Sequence, residues 1–162
     1  MATHPRCPDC GAAWQGNLTC QDHFHQCLSW ESESPDQPRA VHHLLVLCYY
    51  LQHPQLYSAQ GLEEAKQLLT AFVEQAARPG DVRQQQRATV DSGTRTWKII
   101  GTPTSHGAYA HPIQWPIPIV DVTAGDLDGY LDRVRAWARA TLEALKTTGN
   151  LTEPRNIHAD KR

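Results

Sequence analysis

The residues best equipped for chemistry lie near the start of the chain, in Cys7-Pro8-Asp9-Cys10-Gly11. Two thiols separated by two residues, with a glycine behind them, form a tight turn that aims both sulfurs at one ion. Cys20 adds a third thiol at the expected start of a helix. Zinc takes four soft or borderline ligands, so the pattern points to a tetrahedral zinc knuckle. Four residues can supply the fourth ligand. His23 follows Cys20 by one helical turn and would give a treble-clef arrangement, while Cys27 lies one further turn along. His42 and His53 belong to an apolar segment and would tie the knuckle to the core. Cys48 has no such company and reads as a small buried hydrophobe.

Other polar groups could serve catalysis. His42, Val46, Tyr49 and His53 recur at i, i+4, i+7 and i+11 and so share one helical stripe. The two histidines of that stripe are about 16 Å apart on a straight helix, too far to share one ion. Between residues 101 and 125 the chain offers Ser105, His106, Tyr109, His111 and Asp121. A histidine that is not a zinc ligand could be a general base oriented by Asp121, with Tyr109 as acid and Tyr49 a further candidate on the facing stripe. Ser105, His106 and Asp121 are also the residue types of a nucleophilic triad, but nothing around them resembles a nucleophile elbow.

These groups must be positioned by helices. Thr19 and Asp22 form a capping box for a first helix, on which Cys20, His23, Phe24, Cys27, Leu28 and Glu31 share one face. A polar, proline-marked loop over 32–38 separates it from a second helix over 39–52. That helix is apolar nearly all round, as a central element is, and Pro54 ends it. Ser58 caps a third helix whose stripe is Leu62, Ala65, Leu68, Leu69, Phe72, Val73 and Ala76, stopping before Pro79. Asp81 and Gln84 predict a short helix to about residue 90 by a second capping box. Residues 94–100 have strand composition. The segment 101–125 is rich in proline and glycine but also holds Tyr109, Trp115 and several isoleucines, as expected of a packed functional loop. Asp126 is the expected cap of a last long helix with Leu127, Tyr130, Leu131, Val134, Trp137, Ala138 and Leu145 inward.

The fold class is therefore mainly α: four or five helices around the 41–52 helix, with the knuckle on one end and the 101–125 loop outside. A single domain is expected over 1–146, followed by a polar, frayed tail over 147–162. The 162 residues, 40% apolar and 20% charged, suit one globular core. A net charge of −2 gives no general attraction to nucleic acid or anionic membrane. No apolar run is long enough to span a bilayer, and Met1 to Arg6 lacks the apolar stretch of a signal peptide. A cytoplasmic location follows, where five cysteines read as ligands or buried thiols rather than disulfides. Arg78, Arg83, Arg87, Arg95 and Lys98 gather near Trp97, so nucleic acid is a conceivable partner but not the favoured one.

Three stretches together resemble a bacterial family of unknown function: Cys7-Pro-Asp-Cys10-Gly-Ala, Cys20-Gln-Asp-His-Phe24, and Val41-His42-His43-Leu44 leading to Tyr49-Tyr50-Leu51-Gln52-His53-Pro54. The resemblance covers the first third of the chain, and the tryptophan-rich C-terminal half is similar to one subgroup. It implies motif positions at Cys7, Cys10, Cys20, His42, Tyr49, Gln52 and His53. The fourth ligand it implies is His53, with His42 and then His23 as alternatives. It brings no activity. Three cysteines leave zinc a poor Lewis acid, so a structural zinc supporting a binding or accessory module is the leading expectation. The competing one is a metal-dependent or histidine-based enzyme with its site between the 41–53 helix and the 101–125 loop.

Overall fold

A computed structural model of the chain describes residues 5–33, 38–82, 84 and 99–151. Among them every regular element is helical: α1 (Cys20–Glu33), α2 (His42–Leu51), α3 (Ala59–Glu74), α4 (Ile119–Val122) and α5 (Tyr130–Thr147). Tight 3₁₀ turns occupy Pro38–Val41 and Pro54–Leu56, and residues 79–82 form a further helical turn. The expected mainly helical fold is what the chain adopts.

Helix α2 is the central element. Leu44, Leu45, Leu47, Cys48, Tyr49 and Leu51 are all buried along it, and it packs against both α3 and α5. Each fully buried leucine there contributes about 2 kcal/mol of hydrophobic stabilisation. From α3 come Leu62, Ala65 and Leu69, and from α5 come Tyr130, Val134, Trp137, Ala138, Leu142 and Leu145. Cys48 is wholly buried among these side chains, and burial pushes its thiol up to about 12.

The helix starts follow local chemistry in two cases and depart from it in two. Asp22 accepts from the Thr19 backbone N–H at 2.8 Å while Thr19 Oγ1 faces the Asp22 N–H at 3.4 Å, completing the capping box. Ser58 Oγ accepts from the Gly61 N–H at 3.0 Å and caps α3. The second helix, expected from residue 39, becomes α-helical only at His42, its first turn being wound as 3₁₀. The last helix does not begin at Asp126. It begins at Tyr130, behind Gly129 in the left-handed region (φ 79°). The side chain of Arg133 explains the delay: it donates to the carbonyls of Val122, Asp126 and Asp128, holding 126–129 as a turn. Leu127, expected inward, is exposed as a result. At the other end of the molecule α3 stops at Glu74, short of Pro79, with Ala76 at positive φ and exposed.

The segment 101–125 packs closely, as its composition suggested. Gly107 N–H bonds the Tyr57 carbonyl at 2.7 Å, Trp115 is buried, and α4 buries Ile119 and Val122. Gln52, at the end of α2, donates to the Ile117 carbonyl at 2.9 Å. Beyond residue 146, Asn150 is buried and trades hydrogen bonds with the backbone of His111. Most of the expected short helix over 81–90, most of the 94–100 strand and residues 152–162 of the tail lie outside the described residues. So do Arg83, Arg87, Arg95, Trp97 and Lys98.

Gly61 reverses the usual helix rule. In an ordinary helix glycine to alanine gains about 1 kcal/mol. Here an added Cβ would stand 2.5 Å from the Ile99 carbonyl oxygen, which also accepts from the Ser58 N–H. Gly61→Ala is expected to destabilise by about 1–3 kcal/mol, read from the denaturant midpoint; a stabilised variant would contradict this packing.

Candidate metal centre

The N-terminal loop folds back on itself through backbone bonds. Cys7 N–H donates to the Ala12 carbonyl and Gly11 N–H to the Cys7 carbonyl, both at 2.9 Å, and Gly11 takes φ 75° to close the turn. Trp14 N–H bonds the Pro5 carbonyl at 2.9 Å, so the strands on either side of the turn are joined. Glycine is needed at residue 11 because a side chain would strain that left-handed conformation. The turn presents Cys7 and Cys10 on the same side. Cys20 meets them from the first residue of α1, and His53 meets them just beyond the end of α2.

These four residues form one buried group, their ligand atoms all within 4.8 Å of one another. Cys10 Sγ lies 3.5 Å from Cys20 Sγ, and Cys7 Sγ lies 3.6 Å from His53 Nε2. Two thiolates bound tetrahedrally with bonds of about 2.3 Å stand about 3.8 Å apart, so the separations suit one ion among them. The surroundings orient the donors. Tyr49 carbonyl accepts from His53 Nδ1 at 2.6 Å, which places the imidazole proton on Nδ1 and leaves Nε2 to face the sulfurs. Trp14 Nε1–H donates to Cys20 Sγ at 3.2 Å. Tyr49 stacks on Phe24 at 4.2 Å and tilts against the His53 ring at 4.5 Å, closing the apolar side.

The electrostatics without a cation are unequal. Hydrogen bonding from Cys10 holds the Cys20 thiol well below its ordinary range, with His53 and Trp14 assisting. Cys10, which shares that contact and is itself buried, is held far above its ordinary range, and burial raises Cys7. Packed thiols repel as thiolates, so only one of the three is readily ionised. A divalent cation removes that conflict by holding all three as thiolates.

The other candidates fall elsewhere. His23 Nδ1 pairs with Thr123 Oγ1 at 2.6 Å, and His42 Nδ1 with Glu31 Oε2 at 2.6 Å, so neither alternative ligand joins the group. Cys27 is also outside it, buried on α1, with its thiol raised to about 12 by burial. The catalytic candidates are likewise dispersed. His106 Nδ1 turns to the Gly107 carbonyl, and Tyr109 hydroxyl donates to the Leu51 carbonyl. His111 and Asp121 are exposed. Ser105 sits in an exposed turn bonded to Thr102. Among the described residues, no hydrogen bond or ion pair links His106 or His111 to Asp121, Tyr49 or the cysteines. Burial raises the Tyr49 phenol to about 12 and raises Tyr109 further, leaving both as neutral donors. The sequence reading missed Trp14, whose indole nitrogen donates to Cys20; an aromatic six residues before a cysteine is too general a signal to reveal it.

Trp14→Phe keeps the ring packing and deletes the N–H. Outer-shell losses of this kind cost about tenfold or more in metal affinity, so the variant is expected to lose zinc to a competing chelator at about tenfold lower chelator strength. Unchanged affinity would show that the indole bond to Cys20 has no part in holding metal.

The comparisons with known proteins agree with the reach of the motif residues. Neither a search of curated proteins nor one of solved structures gives a match. The model of a family of unknown function, DUF5946, matches residues 5–146, extending far beyond the knuckle-to-Pro54 stretch that first carried the resemblance. The matched span holds all four members of the buried group and the whole of α2. The chain belongs to that family of unknown function.

Proposed function

We propose that the group of Cys7, Cys10, Cys20 and His53 holds one structural zinc ion, and that the protein is a single zinc-stapled helical domain over 1–146 working as a binding or accessory module. The observation that carries this reading is closure: four protein donors face one point, and all four residues are buried. A catalytic zinc has three protein ligands and an open position for water. Here the fourth donor is supplied by the protein and held by its own backbone bond. The three-thiolate donor set adds to the case, since it lowers the Lewis acidity that zinc would need for catalysis. A metal bound there supplies folding free energy by joining the N-terminal loop, α1 and the end of α2. All five cysteines are unpaired, which supports a reducing compartment such as the cytoplasm. No helix among the described residues is long and apolar enough to cross a membrane.

Purified protein is expected to carry about one zinc per chain by elemental analysis, and its cobalt-substituted form to show the visible bands of a tetrahedral site. Cys10→Ser should lose the metal and several kcal/mol, about 3 or more, of stability. A metal-free chain that melts as the loaded one does would refute the structural role.

A further inference from the structure

A second built site lies at the other end of α1 and shares no residue with the metal group. Its centre is Glu31, buried at 4% exposure on the last turn of α1. The carboxylate accepts from Tyr130 hydroxyl at 2.9 Å on Oε1 and from His42 Nδ1 at 2.6 Å on Oε2. Burial raises the Tyr130 phenol well above its ordinary range, so it stays a neutral donor. With Nδ1–H given to the carboxylate, Nε2 of the neutral imidazole is the acceptor. The His42 side chain is 52% exposed, and among the described residues its Nε2 has no partner.

His42 lies on the wall of a groove of about 950 Å³ between α1, α2, α3 and the turn at 79–82. Leu28, Val46, Leu68 and Phe72 make its apolar wall, and His43 stands edge-on to Phe72 at 4.5 Å. The volume is that of a small-molecule pocket, and a mostly apolar lining with a few placed polar atoms is what such pockets have. Among the described residues that line it there is no lysine or arginine. Glu31 therefore contributes a negative potential that disfavours an anionic head group, while an acceptor nitrogen favours a hydroxyl. The aromatic edge of Phe72 favours a ring over an open chain.

We propose that this groove binds a small apolar molecule carrying a phenol-like hydroxyl, whose proton is accepted by His42 Nε2 with Glu31 and Tyr130 fixing the imidazole. The site is a recognition site with no covalent step. It differs from the enzyme site expected from the sequence, which would have lain between α2 and the 101–125 loop.

The test uses the whole zinc-loaded chain and three probes: 4-butylphenol, butylbenzene and 4-butylbenzoate. Affinity is read by titration and long-range ¹H–¹⁵N imidazole spectra. The neutral His42 ring should carry its proton on Nδ1 before any probe is added. 4-Butylphenol should shift the Nε2 resonance and bind about fivefold tighter than butylbenzene, the worth of one hydrogen bond. The benzoate should bind more weakly than the phenol. His42→Ala should bring phenol and hydrocarbon to equal affinity, and its fold is checked by the unchanged spectrum of the other histidines. An Nε2–H tautomer in the free protein, equal binding of phenol and hydrocarbon by the unaltered chain, tightest binding of the benzoate, or no binding of any probe would each overturn the proposal.

Discussion

The structure hangs on the two nitrogens of His53. Nδ1 donates to the Tyr49 carbonyl one helical turn back, and Nε2 reaches the sulfur of Cys7. One imidazole thus joins the most deeply buried helix to a loop that has no apolar core of its own. The ring can do this because it is buried, wedged against Tyr49, and fixed in one tautomer by the backbone. Without it the knuckle would be a surface turn carrying two thiols. With it, the chain from Pro5 to Trp14 becomes part of the domain.

The same end of α2 organises the C-terminal half. Three successive residues each take a different partner: Leu51 offers its carbonyl to Tyr109, Gln52 donates to the Ile117 carbonyl, and His53 faces the cysteines. Gln52 also reaches Thr141 of α5 at 3.3 Å. A buried polar side chain costs free energy unless its hydrogen bonds are made, so each of these residues specifies what must pack beside it. The 101–125 segment is ordered by those contacts although little of it is regular helix. The position of His53 is for this reason tied to the packing of a loop distant in sequence.

Much of this was legible beforehand. The spacing of Cys7, Cys10 and Cys20 announces converging thiols because a two-residue separation is a turn dimension, a local property. The capping box at Thr19 and the N-cap at Ser58 are local too, and both hold. The family resemblance, more than the spacing, singled out His53 from His42 and His23. The start of the last helix was misread because the Arg133 guanidinium, seven residues downstream, takes the carbonyl of Asp126 and keeps the intervening turn from winding. No nearest-neighbour rule contains that bond. The catalytic candidates of the 101–125 loop were chosen by residue type alone; in the folded chain His106 and Tyr109 bond the carbonyls of Gly107 and Leu51, while His111 and Asp121 are exposed.

The sequence by itself determined the helical class, the central place of α2 and the identity of three clustered thiols, because periodicity, capping and turn chemistry act over a few residues. The tertiary structure decided which histidine completes the group and what the other one does. His42 and His53 are chemically alike and lie on one stripe of one segment. The ten residues of α2 carry them to opposite ends, one against the cysteines and the other against a buried glutamate. That separation follows from the rise of the helix. Which end meets which partner follows from α1 running opposite in direction to α2, which sets Cys20 by His53 and Glu31 by His42, a long-range packing outcome.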